Sequence, residues 1–167
     1  GLVRPITLDG YSQPGAVANS RTPAKIGFDG ALRIELSGQN CASTCAGLLL
    51  ASPADAPITI RGLIINRWFT GIDGWNQEGT PYVEGNYIGT DASGMHARPN
   101  RTGLMFRHHS APGLQLGGTQ PAQRNLISGN SERALFINCS AGSGSGSGTC
   151  QNDARIEGNY IGVAADG

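Results

Sequence analysis

Charged residues are scarce in this sequence, and neither sign of charge dominates. They make up 14% of the 167 residues, and the 12 basic and 12 acidic residues cancel; typical globular proteins carry about 25%. General nucleic-acid binding needs a basic surface that displaces the counterions of the phosphates, so this balance argues against a nucleic-acid partner. No apolar run approaches the ~20 residues of a membrane-spanning helix, so we expect no membrane span.

Signatures of several common sites are also missing. No tight cysteine pair is accompanied by a histidine at ligand spacing, which argues against zinc. The Gly-Ser run at 140–149 lacks the lysine and the following helix of a phosphate-binding loop. The sequence opens without the pattern of a signal peptide and ends inside a repeated motif. We therefore interpret residues 1–167 as a single domain and expect it to be a fragment of a longer chain.

Short apolar runs punctuated by Gly, Asn and Asp are what the sequence has in abundance. Glycine alone supplies 26 residues, roughly twice its ordinary share of about 7%. Runs of this length are too short for helices and fit the period of two of a strand. They fall into three series that recur about every 20 to 30 residues. The series begin at Ile58, Tyr82, Leu114 and Arg155; at Leu63, Asn86, Asn125 and Asn159; and at Gly47, Gly71, Gly103 and Ala134.

Three short strands per repeat predict an all-β parallel β-helix, a solenoid of about four to five coils. We expect residues 1–45 to form an irregular first coil or cap, with a long loop at 12–24, and residues 46–167 to form regular coils. The hexapeptide EGNYIG occurs at 84–89 and again at 157–162. Its glycines suit corners with positive φ, and its asparagines are predicted to hydrogen-bond to the backbone of adjacent coils.

The four cysteines form two local pairs, Cys41 with Cys45 and Cys139 with Cys150. Each pair flanks a loop of small residues, which favours two loop-closing disulfides in an oxidising compartment. Free buried thiols are the alternative. Three connectivities are possible for four cysteines, and the short separations favour pairing within each loop. We therefore expect a secreted or cell-surface protein.

Several stretches together resemble a known group of proteins. PITLDGYSQPGA, LRIELSG, ITIRGLIINRW, GNYIGTDASG and RNLISGN are similar to the right-handed parallel β-helix repeat proteins of bacteria, of the CSLREA type, which share the pectate-lyase-like superfamily fold. The resemblance covers nearly the whole chain and implies a right-handed β-helix. It also implies carbohydrate lyases, hydrolases and adhesins as the range of functions.

The catalytic signatures of that superfamily are absent from the sequence, which has no Asp-Asp pair, no Gly-His-Gly and no Arg-x-Lys. We therefore expect a non-enzymatic extracellular module that serves as a structural stalk or as a glycan-binding surface, with polysaccharide as its partner. The alternative is a polysaccharide lyase or glycoside hydrolase acting on acidic polysaccharide. Further coils or neighbouring domains of a longer chain are also expected partners.

The third series offers a candidate binding face. With Ile72, Leu104 and Leu135 pointing inward, alternation directs two rows outward. An aromatic ring beside an arginine can stack on a sugar ring and pair with its carboxylate. A solvated face with incidental apolar residues is the alternative. The candidate ligand-binding residues are Asp73, Trp75, Arg107, His109, Phe136 and Asn138, and the two rows are Asp73–Met105–Phe136 and Trp75–Arg107–Asn138.

Catalytic and metal-binding roles have their own candidates. Either His108 or His109 is a possible general base, and because adjacent residues of a strand point to opposite faces the two do not suit a shared metal ion. Asp91, in GTDASG, is a weak candidate for a single Ca²⁺ site. No other cofactor is predicted, and no catalytic residue is assigned.

Overall fold

The computed structural model describes residues 4–22, 24–41, 43–50, 56–75, 79–108, 113–139 and 153–167, and in that part of the chain almost all regular structure is β. The chain makes repeated circuits of three strands. The first circuit holds β1 (Ile6–Asp9), β2 (Ile34–Ser37) and β3 (Ala46–Leu50), and the second holds β4 (Ile58–Arg61), β5 (Leu63–Asn66) and β6 (Thr70–Trp75). The third holds β7 (Pro81–Glu84), β8 (Tyr87–Ile88) and β9 (Thr102–His108), the fourth β10 (Gln115–Gly117), β11 (Leu126–Ile127) and β12 (Arg133–Cys139), and the last β13 (Arg155–Glu157) and β14 (Tyr160–Ile161).

The strands form three parallel sheets, which the chain visits in rotation. Sheet 1 has the order β1-β4-β7-β10-β13, sheet 2 the order β14-β11-β8-β5-β2, and sheet 3 the order β12-β9-β6-β3. Each strand therefore pairs with the equivalent strand of the next circuit, at the usual spacing of about 4.8 Å. The three sequence series correspond to the three sheets, and the prediction of an all-β protein of parallel strands is confirmed.

One apolar core touches all three sheets. Alternation along each strand turns every second residue inward, and the parallel register stacks the inward side chains from circuit to circuit. Burying a leucine or isoleucine of this kind contributes about 1.5–3 kcal/mol. The inward rows include Leu8–Ile60–Val83–Leu116–Ile156 in sheet 1, Leu36–Ile65–Ile88–Ile127–Ile161 in sheet 2, and both Leu48–Ile72–Leu104–Leu135 and Leu50–Gly74–Phe106–Ile137 in sheet 3.

Glycine and asparagine make the corner between sheets 1 and 2. Gly85 has φ of 64° and Gly89, after the next strand, has φ of 98°, a region that side-chain-bearing residues avoid. Both were predicted to turn corners, and this is confirmed.

An asparagine ladder holds this corner together across circuits. Asn86 Nδ2 donates to Asn125 Oδ1 at 3.1 Å, and Asn125 Nδ2 donates to Asn159 Oδ1 at 2.8 Å. Each side chain also donates to a carbonyl of the preceding circuit, those of Ile60, Val83 and Leu116 respectively. The predicted bonding of Asn86 and Asn159 to adjacent circuits is thus confirmed. A second ladder pairs Asn100 with Asn130 at the corner that leads into sheet 3.

The stretch 1–45, predicted as an irregular first coil or cap, contains both regular and irregular structure. β1 and β2 continue sheets 1 and 2 in register with β4 and β5. The segment from 13 to 33 contains no strand in its described part and lies over the outer face of sheet 2. There Phe28 packs edge-on against Tyr87 and Tyr160, at ring-centroid distances of 5.7 and 4.9 Å, and its amide donates to Ala165 O. The outer face of sheet 2 is therefore largely covered.

The Cys41–Cys45 disulfide is present, with a Cα–Cα distance of 6.2 Å. It closes the short loop between β2 and β3, as predicted. The predicted Cys139–Cys150 bond lies outside the described residues, because Cys150 does.

Candidate functional site

The outer face of sheet 3 carries the residues that the sequence singled out. In β6 the Ile72 side chain faces the core and Gly74 is buried on the same side, so Asp73 and Trp75 face outward. The strand register sets Asp73 beside Met105 and then Phe136, and Trp75 beside Arg107 and then Asn138. Both outward rows therefore have the register predicted from the sequence.

Arg107 is held between a carboxylate and an aromatic ring. Its Nη2 donates to Asp73 Oδ2 at 2.6 Å, and its guanidinium carbon lies 4.7 Å from the centroid of the Trp75 ring. The Asp73 side chain is only 14% exposed, whereas Trp75 is 52% exposed. Such cation–π contacts contribute about 0.5–2 kcal/mol, so both partners restrain the arginine while the ring remains open to a ligand.

Two more arginines lie over aromatic rings on this side of the molecule. Arg101 lies 4.6 Å from the centroid of Phe69, and Arg133 lies 5.4 Å from that of Phe136. Glu132 accepts hydrogen bonds from both arginines, at 2.5 and 3.5 Å. All the cation–π pairs found among the described residues thus belong to sheet 3 or to the residues that lead into it.

Phe69, Arg101 and Glu132 were not predicted as site residues, although the sequence contains a signal for them. These three residues immediately precede the matched positions Thr70, Thr102 and Arg133 in three successive circuits. Residues at equivalent positions of parallel circuits lie side by side. An aromatic ring, a cation and an anion at such positions therefore predict that the cation contacts both of its neighbours, as Arg101 does with Phe69 and Glu132.

The other predicted residues are less closely associated with this pair. Asn138 is exposed and lies next to Arg107 in register, and Phe136 is partly buried. His109 lies outside the described residues. Asp91 belongs to the excursion between β8 and β9, where its carboxylate accepts hydrogen bonds from Ser93 and His96. Of the predicted set, the structure therefore brings Asp73, Trp75, Arg107, Phe136 and Asn138 onto one face.

Asp91 organises its own turn. Its Oδ1 accepts from the Ser93 backbone and hydroxyl, at 3.1 and 2.6 Å, and its Oδ2 lies 3.0 Å from His96 Nδ1. Burial raises the pKa of this carboxyl, but the hydrogen bonds from Ser93 and His96 outweigh burial and lower the pKa from 3.8 to about 2. Within the described ranges no group of three or more His, Cys, Asp or Glu side chains is arranged to hold a metal ion.

We expect Asp91→Asn to destabilise the protein by about 1–2 kcal/mol at neutral pH. A carboxyl whose pKa is lower in the folded state stabilises it above the unfolded pKa, and this contribution is lost as the pH falls through the folded pKa. The difference between wild type and variant should therefore be constant above about pH 5, fall steeply between about pH 4 and pH 2, and vanish only below pH 2. Urea denaturation of both proteins across this range measures it; a difference that does not change between about pH 5 and pH 2 would contradict the role of the charge.

Comparison of the chain with protein-family models, with curated proteins and with solved structures gives no match. Among the described residues no helix is long and apolar enough to cross a membrane. The fold and the site therefore define a class only: an all-β protein of three parallel sheets, with an arginine-aromatic face on one of them.

Proposed function

We propose that the three sheets form a right-handed parallel β-helix, as in the bacterial repeat proteins that the sequence resembles. The rotation of the chain through sheets 1, 2 and 3, the in-register rows and the shared core support this architecture. An asparagine ladder at a corner is what a stacked solenoid requires, because each circuit must satisfy the corner backbone of its neighbour.

The proposed function is that of an extracellular or cell-surface module whose sheet 3 face binds acidic polysaccharide. The observation that carries this proposal is Arg107, fixed between Asp73 and the exposed ring of Trp75. An aromatic ring stacks on the apolar face of a sugar, and a restrained guanidinium pairs with a carboxylate at little entropic cost. The Cys41–Cys45 bond is compatible with an oxidising compartment.

The neighbouring arginines extend the same chemistry along the sheet. A guanidinium has five N–H donors in a planar fork, and Asp73 engages only part of that of Arg107. Arg101 and Arg133 lie over Phe69 and Phe136 in the same way. A flat face with several cations beside rings suits an extended, repeating anion better than a small compact ligand.

We expect Trp75→Ala to weaken binding of a soluble polyuronate at least about tenfold, which corresponds to ~1.4 kcal/mol. Arg107→Gln should weaken it similarly and make the remaining affinity less sensitive to salt. Arg33→Gln is the matched control, because Arg33 is exposed and its Nε donates to Gly15 O, away from sheet 3. Isothermal calorimetry on polyuronates and on neutral glycans, with and without Ca²⁺, measures these affinities.

The outcomes of this experiment separate the proposals. Equal affinities of wild type, Trp75→Ala and Arg107→Gln would contradict binding at the sheet 3 face. Release of unsaturated uronate product during the titration, followed by its ultraviolet absorbance, would contradict the non-catalytic assignment and favour a lyase. Absence of binding by the wild type to every polymer tested would leave a structural stalk as the better-supported role.

A further inference from the structure

A small pocket lies on the outer face of sheet 1. It encloses about 150 Å³, roughly half the lower bound of ~300 Å³ for sites that hold drug-sized ligands. Its outward-facing residues form two neighbouring rows, because residues two apart on a strand share a face. One row contains Tyr82, Gln115 and Arg155, and the other contains Glu84, Gly117 and Glu157.

The floor of this pocket is glycine. Gly117 has φ of 77°, and a Cβ there would lie 2.2 Å from Glu157 O. A Cβ on Gly118 would lie 2.4 Å from Gln123 Oε1. At position 117 the middle circuit therefore adds no side chain to the row between Glu84 and Glu157.

The wall is a 3-10 turn, Pro121–Gln123, that is fixed to the sheet by hydrogen bonds. Gln123 Nε2 donates to Glu84 Oε2 at 3.1 Å, and Gln123 Oε1 accepts from the Gln120 amide at 3.2 Å. The Gly85 amide donates to Gln123 O at 3.0 Å. These bonds orient the glutamine and one carboxylate before any ligand arrives, which reduces the ordering cost of binding.

The chemistry of the lining indicates an uncharged, hydroxyl-rich ligand. The Tyr82 side chain is exposed and offers a ring face, since the residue as a whole is 41% accessible. Two carboxylates disfavour an anion in the pocket. Arg61 lies 3.8 Å from Glu84, and Arg155 lies 3.9 Å from Glu157, so the carboxylates are partly neutralised and a cation is not strongly favoured. Carboxylates and amides are good partners for sugar hydroxyls.

We propose that this pocket binds one neutral sugar residue of a glycan. The ring of Tyr82 stacks on the sugar, and Glu84, Glu157 and Gln115 hydrogen-bond to its hydroxyls. Both carboxylates come from the repeated EGNYIG, so the repeat supplies a binding pair as well as a corner. The site is on a different sheet from the acidic-glycan face and does not depend on it.

Backbone amide NMR of the intact chain, titrated with methyl glycosides of neutral hexoses, tests this proposal. We expect the amide signals of Gly117, Gly118 and Thr119 to shift for at least one glycoside, with a Kd in the millimolar range, about −4 kcal/mol. Tyr82→Ala and Glu84→Gln should each weaken this binding about tenfold, whereas Trp75→Ala should leave it unchanged.

Two controls make the result decisive. Tyr82→Phe keeps the ring and should retain affinity even if Tyr82→Ala impairs folding, and Glu84→Gln preserves the shape of the side chain. Thr59→Ala alters the outward row of Tyr82 without altering a pocket residue, and should have no effect. Absence of shifts at Gly117 and Gly118 up to about 50 mM of every glycoside, or shifts that survive both Tyr82→Ala and Glu84→Gln, would overturn the proposal.

Discussion

Replacement of Asn86 by alanine is expected to lower the free energy of unfolding by about 4 kcal/mol. Asn86 is fully buried. Its Oδ1 accepts from the Leu63 amide at 3.0 Å, and its Nδ2 donates to Ile60 O at 2.9 Å, to Glu84 O at 3.0 Å and to Asn125 Oδ1 at 3.1 Å. Each buried group left without a partner costs about 1–3 kcal/mol, and alanine replaces none of these bonds.

Asn86→Asp distinguishes lost hydrogen bonds from lost packing. Aspartate has nearly the shape of asparagine and can still accept from the Leu63 amide. It cannot donate to Ile60 O when ionised, and its charge would be buried at a large cost. We therefore expect it to destabilise the fold at neutral pH at least as much as alanine does.

Urea denaturation followed by circular dichroism measures these differences. Asn138→Ala is the matched control, since Asn138 is exposed on sheet 3, and surface substitutions usually change stability by less than about 0.5 kcal/mol. Asn159→Ala should have a smaller effect than Asn86→Ala, because Asn159 ends the described ladder and is only partly buried. A loss below about 1 kcal/mol for Asn86→Ala would contradict the structural role of the ladder.

The repeated elements could be predicted because their physics is local. Period-two alternation fixed which side chains of β6 and β9 face outward, and the recurrence of the three series fixed their register. The Asp73–Met105–Phe136 row follows from these two facts alone. The corner role of Asn86 followed from its recurrence, since every circuit has the same backbone groups to satisfy.

The covering of sheet 2 could not be predicted in this way. The segment from 13 to 33 has no repeat, and its anchors are contacts between residues far apart in the chain, such as Phe28 with Tyr160 and with Ala165. No periodic pattern in that segment indicates which sheet it covers. The composition of residues 12–24, rich in Pro, Gly and Ser, predicted only a loop.

The pocket on sheet 1 was missed for a related reason. Residues 118–124 lie between β10 and β11, outside the repeated strands, and they contain the 3-10 turn. Its conformation depends on the Gln123 side chain bonding to both Gln120 and Glu84, which spacing alone does not reveal. Both glutamates belong to the repeated EGNYIG. That Gly117 of β10 lies between them follows only from the pairing of β10 with β7 and β13.

Phe106 and Gly74 form the second place where a large effect is expected. They are paired in register between β9 and β6, with Leu50 and Ile137 on either side. Phe106 is fully buried, and a Cβ on Gly74 would lie 2.3 Å from Phe106 Cδ1. The ring therefore occupies the space above the glycine, and each residue determines the size that the other can have.

We expect Phe106→Ala to cost about 4 kcal/mol through the cavity that it leaves. Gly74→Ala should cost about 1–3 kcal/mol, because the new methyl group displaces the ring. In the double variant the methyl group enters the space that the ring has vacated, so the combined loss should be smaller than the sum by at least about 1 kcal/mol.

The matched control combines Gly74→Ala with Leu126→Ala. Leu126 is also fully buried but packs in the separate cluster on the outer face of sheet 2. Substitutions without shared contacts add to within about 0.5 kcal/mol, so this pair should be additive in the same urea experiment. Additivity of the Gly74 and Phe106 substitutions would contradict direct packing of the ring on the glycine. Coupling in the first pair alone would show that Gly74, because it has no side chain, leaves the space that the ring of Phe106 fills in the next circuit.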